Sequence, residues 1–127
     1  MLPWIQLAKA RVPGGNGELL LQRRGDEYSI RVDGYELMNT RVHGSEDALA
    51  EIACRELKDT TRAHVLIGGL GMGFTLAAVL KAIGPAGKAT VAELVPEVVE
   101  WNRGPMGAAS GHPLSDPRTI AKTMDVA

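Results

Sequence analysis

At 127 residues, 45% of them hydrophobic and 23% charged, the chain has the size and balance of one soluble globular domain. A formal charge of -1 excludes a basic nucleic-acid footprint, because neutralising phosphates takes a surplus of Lys and Arg on one face. No apolar run approaches the roughly 20 residues of a bilayer span, and the single cysteine, Cys54, excludes an intrachain disulfide.

The stretch from Met1 to Arg11 carries Lys9 and Arg11 where a signal peptide has its apolar core, so a cytoplasmic protein is expected. Trp4 to Val12 suits a strand. Glu18 to Arg23 suits another, and the adjacent pair Arg23-Arg24 reads as a solvated strand end. Gly25-Asp26 supplies turn residues, and Tyr28, Ile30 and Val32 then alternate with polar neighbours, the period of a half-buried strand. Asp33-Gly34 makes a second turn. A small antiparallel β-meander over residues 1–44 accounts for this half.

A helix is expected from Ser45, with Ser45 as its cap and Glu46 and Asp47 complementing the helix dipole. Leu49, Ile52, Ala53 and Leu57 form its expected apolar face, and Cys54 is expected as a small buried hydrophobe. From His64 the pattern alternates. His64 to Ile67 reads as a buried parallel strand, Leu76, Val79, Leu80 and Ile83 as a helix face stopped by Gly84-Pro85, and Ala89 to Ala92 as the next strand. Pro96 opens a third helix through Trp101, Gly104-Pro105 ends it, and Arg118 to Met124 reads as a last strand after a loop. The order β-α-β-α-β over residues 45–127 is the first half of a doubly wound Rossmann-type sheet, giving an α/β fold class.

Chemistry concentrates between Ile67 and Gly73. Glycines 68, 69, 71 and 73 sit where a strand hands over to a helix, a place for unusual φ/ψ and for backbone approach to a ligand. A dinucleotide site wants G-x-G-x-x-G. Here that register puts Phe74 or Leu76 at the last glycine, whereas Gly69-x-Gly71-x-Gly73 is the G-x-G-x-G turn of methyltransferase-like sheets. That turn takes a nucleoside with an amino-acid tail, so NAD is disfavoured. Glu93 ends the second strand about 20 residues on, where a carboxylate accepts bonds from ribose hydroxyls. Asp125 ends the third, where an acid can accept a bond from an adenine amino group. His43, His64 and His112 lack metal-site spacing, and no metal is expected. Ser110, His112 and Asp116 hold the residue types of a triad, but near neighbours in one loop rarely form one.

On these residues the chain resembles the spermidine synthases. Val65-Leu66-Ile67-Gly68-Gly69 is similar to the family's V-L-x-I-G-G-G-D-G-G, and Glu93 to Val99 to its E-I-D-P-x-V-V. Asp116-Pro117-Arg118 with Asp125-Val126-Ala127 is similar to D-P-R-V…D-A, and Ser45-Glu46 with Glu51 to the segment D-E-x-x-Y-H-E. The resemblance covers most of the chain, the meander matching the family's N-terminal β-domain. It implies S-adenosylmethionine or its decarboxylated form as ligand, aminopropyl transfer to an amine, a polyamine among the partners, and a homodimer. Departures are specific. The family's donor-side aspartate is Gly71, its Tyr-His pair is Leu49-Ala50, and the acid after its ribose-binding glutamate is replaced by Val95. The sequence stops before the strand carrying the family's catalytic aspartate, so no catalytic residue is assigned. An S-adenosylmethionine-dependent methyltransferase and a non-catalytic binding or dimerisation module are the alternatives. A half sheet is expected either to be part of a longer protein or to be covered by a second copy.

Overall fold

A computed structural model of the chain describes residues 2–125. Strands β1 (Ile5–Arg11), β2 (Glu18–Arg24), β3 (Glu27–Val32) and β4 (Tyr35–Asn39) form one antiparallel sheet in sequence order. Turn chemistry fixes its register. Gly25 takes φ 58 between β2 and β3, and Asp33 and Gly34 take φ 50 and 83 between β3 and β4, the paired positive values of a tight hairpin. Leu21 pairs with Ile30, and both point into the core. The fourth strand exceeds the sequence expectation. Its large side chains Tyr35 and Leu37 face outward, so its alternation carries no core signature.

Helix α1 (Gly44–Arg55) follows and departs from expectation twice. Residue His43, not Ser45, is its N-cap, and the Ser45 hydroxyl donates to Glu46 Oε2 at 3.1 Å. The buried face is Ala50 and Cys54 with Leu57 half-buried, while Leu49 and Ile52 stay 61% and 59% exposed. Small residues four apart let α1 press closely against α2 (Phe74–Ala82), and that contact turns the larger side chains outward. The His43 ring stacks on Phe74 with centroids 3.8 Å apart, and its Nδ1 lies 2.9 Å from Asp47 Oδ2. Burial pushes the Cys54 thiol pKa up, as suits a packing residue.

Strands β5 (His64–Gly68), β6 (Lys88–Glu93) and β7 (Thr119–Thr123) form a parallel sheet in that order, with α2 and α3 (Pro96–Arg103) in the crossovers. Pro96 occupies the first turn of α3, and α2 stops where Ile83 turns extended before Gly84-Pro85. Right-handed crossovers running one way along a sheet put both helices on one side. Burial agrees. Ile67, Ala89 and Val91 are buried on one face, while Leu66 and Ile120 on the other remain 68% and 39% exposed. One continuous core joins both sheets, running from Leu21 and Ile30 to Val91, Trp101 and Met106.

The Asp116-Pro117-Arg118 segment is a brace. Arg118 donates from Nε and Nη2 to the two Asp116 oxygens at 3.0 and 2.8 Å, and from Nη1 to the Ile83 carbonyl beyond α2 at 3.0 Å. Hydrogen bonds from the Arg118 side chain and then its backbone N–H hold the Asp116 carboxyl below its ordinary pKa. A depressed carboxylate contributes stability above its unfolded value, about 4, and loses it as pH falls through the folded value. Melting curves of wild type and Asp116→Asn are therefore expected to differ at neutral pH and to converge below about pH 4. A constant gap down to pH 2 would disprove the brace.

Candidate functional site

The glycine turn leaves β5 and is pinned at both ends. Gly69 donates its N–H to the Ala92 carbonyl at 2.7 Å, and Gly73 donates to Leu70 at 2.9 Å. Gly69, Gly71 and Gly73 take φ 99, 55 and 85, so every second residue sits where an L side chain is strained. Leu70 and Met72 between them point into the core. The G-x-G-x-G spacing is thus the backbone pattern itself: left-handed glycines alternating with buried anchors.

Glu93, the last residue of β6, faces this turn and is 9% exposed. Its Oε1 accepts from the Leu70 N–H at 2.9 Å and the Gly71 N–H at 3.3 Å, and its Oε2 accepts from the Val95 N–H at 3.0 Å. On the far side of the turn Asn102 of α3 donates from Nδ2 to the carbonyls of Gly71 and Val98 at 2.7 and 2.8 Å. A cavity of about 390 Å³ opens beside Gly69, Gly71 and Glu93. Its opposite wall is the meander, through Val12, Leu19, Ile30 and Met38. Met38 puts its sulfur 3.2 Å from where a Gly71 Cβ would lie. Among the described residues, Glu46 and Glu93 are the ionisable ones in the lining, which holds no Lys, Arg or His.

The structure brings Gly69, Gly71 and Glu93 together on this cavity; it does not bring the other candidates there. Gly68 ends β5, paired with Ala92. Gly73 faces inward, and a Cβ there would meet Ser110 Oγ at 2.8 Å and Asn102 Oδ1 at 3.1 Å, so its glycine serves packing and the helix start rather than ligand approach. Asp125 is exposed beyond β7 and outside the cavity lining, although Met124 beside it donates to the Glu93 carbonyl at 2.9 Å. Val126 and Ala127 of the matching motif lie outside the described residues. Leu49 and Ala50, at the family's Tyr-His positions, are also absent from the lining. The Ser110, His112 and Asp116 trio forms no relay, since Ser110 Oγ is buried against Gly73 and Asp116 is engaged by Arg118.

Two contributors escaped the sequence reading. Met38 lies on the unread fourth strand. Asn102 continues the buried face of Val95, Val98 and Val99, and a lone Asn on an apolar stripe is the signal that could have found it.

Among the described residues, no helix is long and apolar enough to cross a membrane and no group of three or more His, Cys, Asp or Glu could hold a metal. The architecture is that of part of a Rossmann-like fold preceded by a β-meander. Solved structures carry the same arrangement. Spermidine synthase from Thermotoga maritima superposes with a TM-score of 0.74 at 21% identity, over 94% of this chain and 41% of that one. A spermidine synthase in complex with the transition-state analogue AdoDATO matches with the same values. A probable spermidine synthase from Corynebacterium glutamicum ATCC 13032 matches at TM-score 0.59 and 16% identity, over 94% and 44%. The chain therefore has a spermidine synthase-like fold and spans less than half the length of these proteins. No family model and no curated protein matches the sequence.

Proposed function

We propose that this chain forms the nucleoside-binding part of an aminopropyltransferase-like protein, with decarboxylated S-adenosylmethionine as the ligand of the cavity beside Gly71. The observation that carries the reading is the convergence of the Glu93 carboxylate with the backbone N–H groups of Leu70 and Gly71 on that cavity. The likeness in fold to spermidine synthases, one of them holding AdoDATO, supports it. Glu93 would accept from the ribose and bare Gly69 and Gly71 would admit the sugar, while Asp125, outside the cavity beyond β7, would meet the adenine amino group only of a ligand that extends past the cavity mouth. Residues 1–44 would form one wall of the site and residues 45–127 the other. An amine would be the acceptor.

Charge separates this reading from methyl transfer. The absent donor-side aspartate at Gly71 suits ordinary S-adenosylmethionine. Against that, its methionine carboxylate would meet Glu46 and Glu93 with no Lys, Arg or His in the lining to offset them. The decarboxylated ligand carries only positive charge and is favoured. Titration calorimetry with both forms and with methylthioadenosine tests this. The decarboxylated form is expected to bind about tenfold or more tighter than the carboxylated one, the difference a charge-assisted contact makes. Reversed preference points to a methyltransferase, and no binding by any of the three to a non-catalytic module.

We extend the proposal to a homodimer. The open face of the parallel sheet exposes Leu66 and Ile120, and edge strand β1 exposes Ile5 and Leu7. Light scattering that returns the 13.5 kDa monomer mass at high concentration would remove it.

A further inference from the structure

Gly71 is held through both of its backbone groups. Its N–H reaches Glu93 at 3.3 Å, the longest of the three bonds to that carboxylate, and its carbonyl accepts from Asn102 at 2.7 Å. A carboxylate offers about four lone-pair positions. Three are taken by Leu70, Gly71 and Val95, which leaves one for a ribose that presents two hydroxyls. On the nucleoside reading proposed above, on which this inference rests, the second hydroxyl displaces the long Gly71 bond. Gly71 then depends on its other tether.

We infer that Asn102 is a positioning residue for nucleoside binding: its amide holds the Gly71 carbonyl, so the turn keeps its left-handed course when Glu93 turns to the sugar. The identity of the donor atom is set by the partners, because both neighbours at 2.7 and 2.8 Å are carbonyl oxygens and only Nδ2 can donate to them. Asn102 is 2% exposed, and its Oδ1 has no hydrogen-bond partner among the described residues. A buried polar side chain left half-satisfied is costly to keep, and here its bonded half links α3 to the turn. The same Oδ1 lies 3.1 Å from the Cβ position of Gly73, so the Asn102 side chain borders both left-handed ends of the turn's second half.

Two variants of the full chain test this. Asn102→Ser keeps a hydroxyl able to bond the Val98 carbonyl one turn back but cannot reach Gly71. Asn102→Leu, similar in shape and apolar, removes both bonds. Ile83→Val is the control, a buried residue outside the cavity lining. Calorimetry uses methylthioadenosine as the probe, and amide hydrogen exchange reads Leu70, Gly71 and Val91. Both Asn102 variants are expected to weaken the probe about tenfold, the effect of one lost hydrogen bond, and to speed exchange at Gly71 while Val91 keeps its protection. Ile83→Val is expected to lower the melting temperature and leave affinity and Gly71 exchange as in wild type. Unchanged affinity in Asn102→Ser overturns the inference, and so does an affinity loss that Ile83→Val reproduces. Should wild type bind none of the nucleosides, the functional reading fails separately. The exchange measurement then decides alone, and undisturbed Gly71 protection in both variants overturns the tether.

Discussion

Gly73→Ala is expected to be among the most destabilising substitutions in the chain, lowering stability by roughly 2–5 kcal/mol. Two costs add. A residue with a Cβ at φ 85 pays about 1–2 kcal/mol for the left-handed conformation. The new methyl also meets Ser110 Oγ at 2.8 Å, Asn102 Oδ1 at 3.1 Å and Pro113 Cγ at 3.2 Å, and overpacking of this kind costs about 1–3 kcal/mol more. For a domain of this size the melting temperature should fall by roughly 10 to 20 °C. Gly69→Ala is the comparison. Its φ of 99 is strained, but nothing lies within 4 Å of the added carbon, so only the conformational cost applies. Gly69→Ala should lose clearly less than Gly73→Ala in stability and more in ligand affinity, because Gly69 lines the cavity and Gly73 does not. Thermal melts monitored by circular dichroism decide it. An equal loss at both positions would mean that packing around Gly73 is not what makes glycine necessary there.

Much of the architecture was legible because local signals agreed with tertiary burial. Tyr28, Ile30 and Val32 alternate because one side of their strand meets the core, and Gly84-Pro85 ends α2 because neither residue continues a helix. Glu93 was legible for a topological reason: the end of a second parallel strand lies next to the turn that follows the first. What failed to show depended on which neighbour won a contest. The larger apolar side chains of α1, Leu49 and Ile52, suggested a buried face. The small Ala50 and Cys54 took it instead, because close helix approach rewards small residues, and side-chain size in sequence does not announce that. The opposite wall of the cavity was equally hidden. Met38 reaches Gly71 through a pairing of distant segments that no local pattern encodes. Gly73 was legible as a glycine but not in its purpose, which the loop around Ser110 supplies.

Glu93→Gln should weaken both the fold and the proposed binding, and the reasons are separable. The substitution keeps size and shape but replaces one carboxylate oxygen by an NH2 group. With that group at the Oε1 position, it opposes the N–H groups of Leu70 and Gly71; at the Oε2 position, it opposes that of Val95. The second orientation is cheaper, since one donor clash replaces two. The remaining bonds also fall from charge-assisted to neutral strength, from about 1.5–3 to about 0.5–1.5 kcal/mol each. With two bonds weakened and the third lost, a stability loss of roughly 3–6 kcal/mol follows. Binding suffers further, because a ribose hydroxyl gives up a charged acceptor, and affinity for methylthioadenosine should drop about tenfold to a hundredfold. Measured well below the melting temperature, calorimetry isolates that second effect. If Glu93→Gln binds the nucleoside as wild type does, yet melts early, the carboxylate organises the turn without touching the sugar. If it melts as wild type does, the three backbone bonds contribute little, and the convergence of Glu93 with Gly71 no longer supports a site there.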